Sequence, residues 1–391
     1  MSTPAQRGGF YIPSLDGIRA AAVLLVFAAH AGLNERVPGN FGVTVFFFLS
    51  GFLITTLLRI EWSKSGRISL KDFYLRRVLR ILPPMYVVLG VASALTAFGF
   101  LDGHLDAGAV EAQVVHLSNY YIVANGWWDG RAPGTWIYWS LAVEEHFYLI
   151  FPLVYIALLR VATRKQQMLA LLAMCAVVLA WRFSLVYFLG APKDRLYVAS
   201  DTRVDSILFG CALAVYANPV LDTVRGGERL WKYALVPLGL VGLLVSFLAR
   251  GFEFEQVFRY SLQGISLVPL FIVAIRYPDW TFCRVLNWRW VKFIGVLSYS
   301  FYLMHPTVLW AVNEWIPWHP VVQAATGLAV TLCLSTAMYM GIERPMATIR
   351  KRLSRIGVAA PSPAQEREPV AVHSTQSQPR GILHAAESTP N

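Results

Sequence analysis

The stretch SLDGIRAAAVLLVFAAHAGL, Ser14 to Leu33, is apolar enough to enter a membrane yet carries Arg19 and His30. An ionisable side chain at membrane depth is costly and marks a functional site by default. Eleven positions separate the two. At about 100° and about 1.5 Å per residue they fall within about 20° on one helix face, about 16 Å apart along its axis. One then lies near a membrane surface and the other well inside. A histidine satisfied by a neighbouring helix is the plainer alternative, and the rest of the chain weighs against it.

The whole chain has the same character. Of its 391 residues, 56% are hydrophobic and 15% charged, against about 25% charged in soluble domains. Mean hydropathy is +0.50. Runs long enough to cross about 30 Å of hydrocarbon recur. They fall near 18–31, 41–58, 81–100, 147–159, 168–189, 207–216, 235–248, 262–275, 293–312 and 321–340. The pattern predicts an all-α, polytopic transmembrane helical bundle of about ten spans. The run at 207–216 is short and is expected to be tilted, broken or extended through Arg203 and Asp205.

Loop charge tests this topology independently. With the N-terminus inside, cytoplasmic loops hold about three times as many Lys and Arg residues as outer ones, the bias of the positive-inside rule. Both termini are therefore expected in the cytoplasm, with the chain a multi-pass protein of the inner (plasma) membrane. The net charge of +11 is scattered through short loops. It points to membrane lipids as partners and away from nucleic acid. Ala29-His30-Ala31 after an apolar run also matches a signal-peptide cleavage pattern, but nine later spans favour a retained first helix.

The expected organisation is one transmembrane domain over 1–355 and a disordered cytoplasmic tail over 356–391, rich in Pro, Ser, Gln and Ala. No second folded domain is expected after the last span, and no internal repeat is visible. The four cysteines form no CxxC pair, so no metal site is expected. Nor is a bound cofactor, since Walker, GxGxxG and GxSxG patterns are missing from the sequence.

The segment Lys71-Asp-Phe-Tyr-Leu-Arg76-Arg77-Val-Leu-Arg80-Ile-Leu-Pro83-Pro84 sets two guanidinium forks, Arg77 and Arg80, on one helix face. Beside a proline-kinked helix start they suit a polyanion such as the phosphates of a nucleotide-containing donor. Lipid phosphate is the alternative. The longest outer loop ends in Trp136-Ile-Tyr-Trp139-Ser140-Leu-Ala-Val-Glu144-Glu145-His146. Its tryptophans, with Trp127 and Trp128, fit either membrane anchoring or stacking on sugars. Ser140 reads as an N-cap. Glu144 and Glu145 suit the first helical turn, or lie within reach of His30, where a carboxylate would fix the imidazole tautomer.

Seven stretches together resemble one family. They are Leu15-Asp16-Gly17-Ile18-Arg19 with His30; Phe41 to Phe52; Phe73 to Arg77 with Arg80 and Pro83; Trp139-Ser140-Leu141 with Glu144, Glu145, Phe147 and Tyr148; Arg203-Val204-Asp205 with Gly210; Gly295 with Ser298-Tyr299, Tyr302-Leu303 and His305-Pro306; and Glu343-Arg344-Pro345. In this order the chain resembles the integral-membrane acyltransferases called acyltransferase family 3. The family's arginine–histidine pattern falls on Arg19 and His30, and its R-x-x-R pattern on Arg77 and Arg80. The resemblance implies transfer of an acyl group, commonly acetyl, from cytoplasmic acyl-coenzyme A to a hydroxyl of a sugar-containing acceptor. Acetyl-coenzyme A is then a substrate, not a resident cofactor. A relay through an appended serine-hydrolase module is not expected.

The assignment that follows makes His30 the general base or acyl carrier, Arg19 its companion at the donor, and Arg77 and Arg80 the donor's phosphate grip. Glu144 or Glu145 holds the imidazole or binds sugar hydroxyls. Trp139, Arg203, Asp205, Tyr302, His305 and Glu343 remain acceptor-binding or structural candidates. Asp201, Arg203 and Asp205 read as one network, and Glu343 as the partner of a loop arginine. The competing class is a proton-coupled transporter or flippase of a glycolipid.

Overall fold

A computed structural model describes residues 12–128, 130–223 and 226–353. Every regular element among them is helical. The order begins with α1 (Leu15–Ala28) and a π-turn (Ala29–Leu33), then α2 (Gly39–Ser65) and α3 (Leu70–Ala97). Two short helices of the long loop follow, α4 (Ala107–Val114) and α5 (Ser118–Asn125), then α6 (Tyr138–Val161), α7 (Arg164–Tyr187), α8 (Lys193–Val198) and α9 (Ser200–Val215). The second half holds α10 (Glu228–Leu230), α11 (Val236–Leu248), α12 (Arg259–Arg276), α13 (Thr281–Leu286), α14 (Arg289–Trp315), α15 (Pro320–Met338) and α16 (Arg344–Leu353). The tail expected over 356–391 lies outside the described residues.

Eight described stretches are long and apolar enough to cross a membrane: Leu15–Leu33, Gly39–Ser65, Leu70–Ala97, Thr135–Val161, Arg164–Tyr187, Glu228–Leu248, Phe254–Arg276 and Pro320–Arg350. The chain is a multi-pass membrane protein of all-α architecture. Two of the ten expected spans stand outside these eight. Helix α9 has 16 residues, about 24 Å of helix, short of the hydrocarbon thickness. It is an inner helix, with Thr202, Arg203 and Asp205 through Val215 all buried. Helix α14 is long enough but broken in polarity by Ser298, Ser300 and His305, all buried.

Helices in lipid gain by close backbone approach, and the glycines show where. A Cβ on Gly51 would lie 2.0 Å from the Ile207 carbonyl oxygen, and one on Gly210 would lie 2.0 Å from that of Phe48. Helices α2 and α9 therefore cross glycine to backbone, from both sides. A Cβ on Gly295 would meet the Asp16 carbonyl at 1.8 Å, so α14 lies equally close to α1 beside Arg19.

Helix starts differ from the expectation in two places. Ser69 accepts the Asp72 N–H at 3.2 Å and starts α3 at Leu70, so Arg76, Arg77 and Arg80 lie on the body of a helix that runs through Pro83 and Pro84. Helix α6 starts at Tyr138, continuing a 3₁₀ turn over Thr135–Ile137. Ser140 is thus inside the helix, not its cap. Glu144 and Glu145 lie beyond the first turn, where the dipole no longer favours them.

Candidate functional site

A cavity of about 110 Å³ lies between α1, α2, α3, α6 and α14. Arg19, Arg77 and Arg80 line it with Glu144, Ser140 and Tyr302. Spacing explains the α6 wall: Ser140, Glu144 and Tyr148 recur every four residues and share a face. Arg19 is held by Asp16 at 2.7 Å and its side chain keeps 17% exposure. The Arg77 guanidinium sits over the Tyr148 ring at 4.8 Å, a cation–π contact. Arg77 and Arg80 have no ion pair among the described residues. The Tyr148 hydroxyl pairs with Ser50 Oγ at 2.6 Å, and Glu144 sits against both groups. The Tyr299 hydroxyl donates to the Ile81 carbonyl at 2.6 Å, tying α14 to α3.

The imidazole lies at the opposite end of α1. The π-turn and Gly32, at φ 95°, end the helix around His30, which is exposed at the protein surface. Its partner is His305, not a glutamate. His30 Nδ1 and His305 Nε2 are 2.8 Å apart. The rings are nearly coplanar at 13°, with centroids 5.1 Å apart, so they meet edge to edge as an N–H···N bond requires.

The tautomers follow. His305 Nδ1 faces the carbonyl oxygens of Tyr302 at 2.8 Å and Phe301 at 3.2 Å, and only an N–H can do that. Neutral His305 therefore accepts at Nε2, His30 donates from Nδ1, and the His30 lone pair is on Nε2. That atom has no hydrogen-bond partner among the described residues.

Tyr302 joins the two regions. It is a cavity-lining residue whose hydroxyl pairs with Ser140 Oγ at 2.7 Å, while its carbonyl orients His305. Trp136 stands edge-on to His30 at 6.5 Å and to Trp128 at 5.2 Å. The loop holding these tryptophans is tied by Asp106. It accepts from the Ala109 N–H and the Tyr121 hydroxyl, each at 3.0 Å. Those bonds, the backbone N–H first, hold its carboxyl below the usual carboxylate range.

Several sequence candidates lie elsewhere. Glu145 is near Glu144 and Arg77, with Oε1 buried and unpartnered among the described residues. Glu343 pairs with Ser300 Oγ instead of a loop arginine. Asp201, Arg203 and Asp205 do not form one network. Asp201 binds Arg195, and Asp205 binds Arg182 at 2.7 Å with both side chains fully buried. Arg203 sits 3.9 Å over the Tyr260 ring and 5.5 Å over that of Trp139. Sequence reasoning missed Tyr148, Ser298 and Tyr299 as cavity residues. The four-residue period from Ser140 was the available signal for Tyr148.

An all-α membrane bundle with an arginine-lined cavity towards one end of α1 and an imidazole pair at the other, His30 exposed and His305 buried, defines the class: a multi-pass membrane protein with ionisable groups set among its spans. The chain belongs to acyltransferase family 3, whose profile, described as an acyltransferase domain, matches residues 12–340. It is similar to the putative peptidoglycan O-acetyltransferase YrhL of Bacillus subtilis, 30% identical over 359 residues, covering 86% of this chain and 55% of that protein. It is also similar to the peptidoglycan O-acetyltransferase OatA of Listeria monocytogenes, 28% identical over 352 residues, covering 86% of this chain and 56% of that one. The chain thus spans a little over half the length of these relatives. No solved structure matches it.

Proposed function

We propose that this chain is an O-acyltransferase that moves an acetyl group from acetyl-coenzyme A to a hydroxyl of a cell-wall glycan, with peptidoglycan the favoured acceptor. The donor enters from the cytoplasm at the arginine end, and the acceptor meets His30 at the other end, across the inner membrane. The transmembrane domain, 1–355, is the catalytic unit. The relatives' names support the acceptor and the acyl group, and the charge bias of the loops supports the orientation.

The observation that carries the reading is the continuity through Tyr302. One residue lines the arginine cavity and orients the histidine pair with its carbonyl. Arg77 and Arg80 grip the donor's phosphates, and Arg19, restrained by Asp16, faces the thioester end. His30 Nε2 takes the proton of the attacking acceptor hydroxyl, and His305 keeps the other ring nitrogen protonated and the ring in place. The acceptor oxygen bonds to the acyl carbon, the carbon–sulfur bond breaks, and the proton passes to the leaving thiolate. Glu144 belongs to the cavity wall in this scheme and no longer holds the imidazole.

The test is purified protein in lipid nanodiscs with radiolabelled acetyl-coenzyme A and peptidoglycan fragments. Acceptor-dependent release of coenzyme A, with label on the glycan, is expected. His30→Ala should lower turnover about 10²–10⁴-fold while remaining in the membrane. Glycan movement without coenzyme A release would make the protein a transporter instead.

A further inference from the structure

A second cavity, of about 450 Å³, opens on another face of α6, against α7 and α9. Its body is apolar, formed by Phe147, Ile150, Val154, Met174 and Leu208. Its one polar end holds Tyr120, His146, Ser200 and Asp201. A concave, mostly apolar pocket with a few convergent polar groups is the general form of a small-molecule site. The acyl-transfer path above uses none of these residues.

The polar end is arranged for nucleophilic chemistry. Ser200 Oγ lies 2.6 Å from His146 Nδ1, within the range expected of a nucleophile and its base. The Asn119 Nδ2 amide donates to the same Ser200 Oγ at 3.0 Å. An amide nitrogen can only donate, so this bond occupies an oxygen lone pair and leaves the hydroxyl proton for the imidazole. Tyr120 stacks on His146, with ring centroids 5.9 Å apart and planes at 28°. The backbone carbonyl of His116 also meets the His146 ring. His116, at φ 58°, closes α4 in a left-handed cap, its N–H on the Gln113 carbonyl and the Leu117 N–H on that of Ala112, which fixes where the His116 carbonyl points. Ser200 heads α9, a helix of 16 residues, where the N–H groups of Ser200 and Asp201 precede the first turn's bonds and suit a developing oxyanion, while that of Thr202 is taken by the Ala199 carbonyl at 3.3 Å. Asp201 accepts from Trp181 Nε1 at 2.7 Å, from Arg195 at 2.5 Å and from the Tyr120 hydroxyl at 3.4 Å.

We propose that Ser200 and His146 form a second reactive site, a serine nucleophile and its general base, acting on long-chain acyl esters drawn from the lipid. The apolar cavity takes the chain and sets its carbonyl at Ser200. Ser200 Oγ bonds to the acyl carbon, the ester carbon–oxygen bond breaks, and the serine proton passes through His146 Nδ1 to the departing alcohol. Water then attacks the serine ester through the same imidazole, releasing a fatty acid and restoring the hydroxyl.

The experiment treats full-length protein in nanodiscs with two fluorophosphonates, one with a hexadecyl chain and one with an ethyl group, and maps adducts by mass spectrometry. The long-chain probe is expected to label Ser200 at least tenfold faster than the short one. Labelling should vanish in Ser200→Ala and fall at least tenfold in His146→Gln. Val154→Trp, which fills the cavity, should remove the preference for the long chain without abolishing labelling. Absence of a Ser200 adduct in monodisperse, folded protein would overturn the proposal, as would equal labelling by both probes. Either result is independent of acetyl-coenzyme A turnover, so it leaves the acyltransferase reading standing or falling on its own assay.

Discussion

Two groups of arginines lie within this membrane bundle, and they are built on opposite rules. Arg182 is fully buried and each nitrogen is spent. Nε donates to the Val257 carbonyl at 3.0 Å, one terminal nitrogen to that of Thr202 at 2.6 Å, and the other to Asp205 and Ser261, each at 2.7 Å. Arg77 and Arg80 face a cavity and have no carboxylate ion pair among the described residues. A guanidinium whose donors are all committed holds helices together. One whose donors face open space is available to an anion that arrives later. Depth in the membrane does not separate the two kinds; satisfaction of the donors does.

The contrast can be broken at either side. Arg182→Ala leaves Asp205 buried without its cation, a loss of about 3–5 kcal/mol. Thermal unfolding in nanodiscs should show a collapse in stability, whatever the donor concentration. An unchanged unfolding temperature would remove the structural half of the comparison.

Arg77→Ala and Arg80→Ala should act in the other way. Each removes charged donors worth about 1.5–3 kcal/mol, so the KM for acetyl-coenzyme A should rise roughly 10- to 100-fold with unfolding temperature preserved. Loss of folding without a KM effect would move these arginines into the same class as Arg182. The smallest effect belongs to the junction. Tyr302→Phe removes the hydroxyl bond to Ser140 but keeps the carbonyl that orients His305. At about 1 kcal/mol for one neutral hydrogen bond, turnover should fall by only a few-fold in a steady-state assay.

Much of the fold was legible because a bilayer permits few solutions. Long apolar runs must be helices there. The arginines were legible because i,i+3 spacing is local. The His30–His305 pair was not, since it joins residues 275 positions apart, and His305 before Pro306 reads equally well as a kinked helix. The expected link from Glu144 to His30 failed for a similar reason. Sequence gives the period of α6 but not its rotation, and the observed rotation turns Glu144 toward Ser50 and Arg77. Helix α9 was read as a short span because its apolar residues are buried by protein, which composition alone does not separate from burial by lipid.

The central claim is that donor binding and proton transfer sit at opposite ends of one path. Acetyl-coenzyme A affinity and single-turnover rate, measured side by side for His30→Ala and Arg80→Ala in nanodiscs, test it most directly. The account predicts that His30→Ala binds the donor as tightly as the parent protein but does not turn it over, and that Arg80→Ala binds it weakly. A parental rate from His30→Ala, or parental donor affinity from Arg80→Ala, would contradict it.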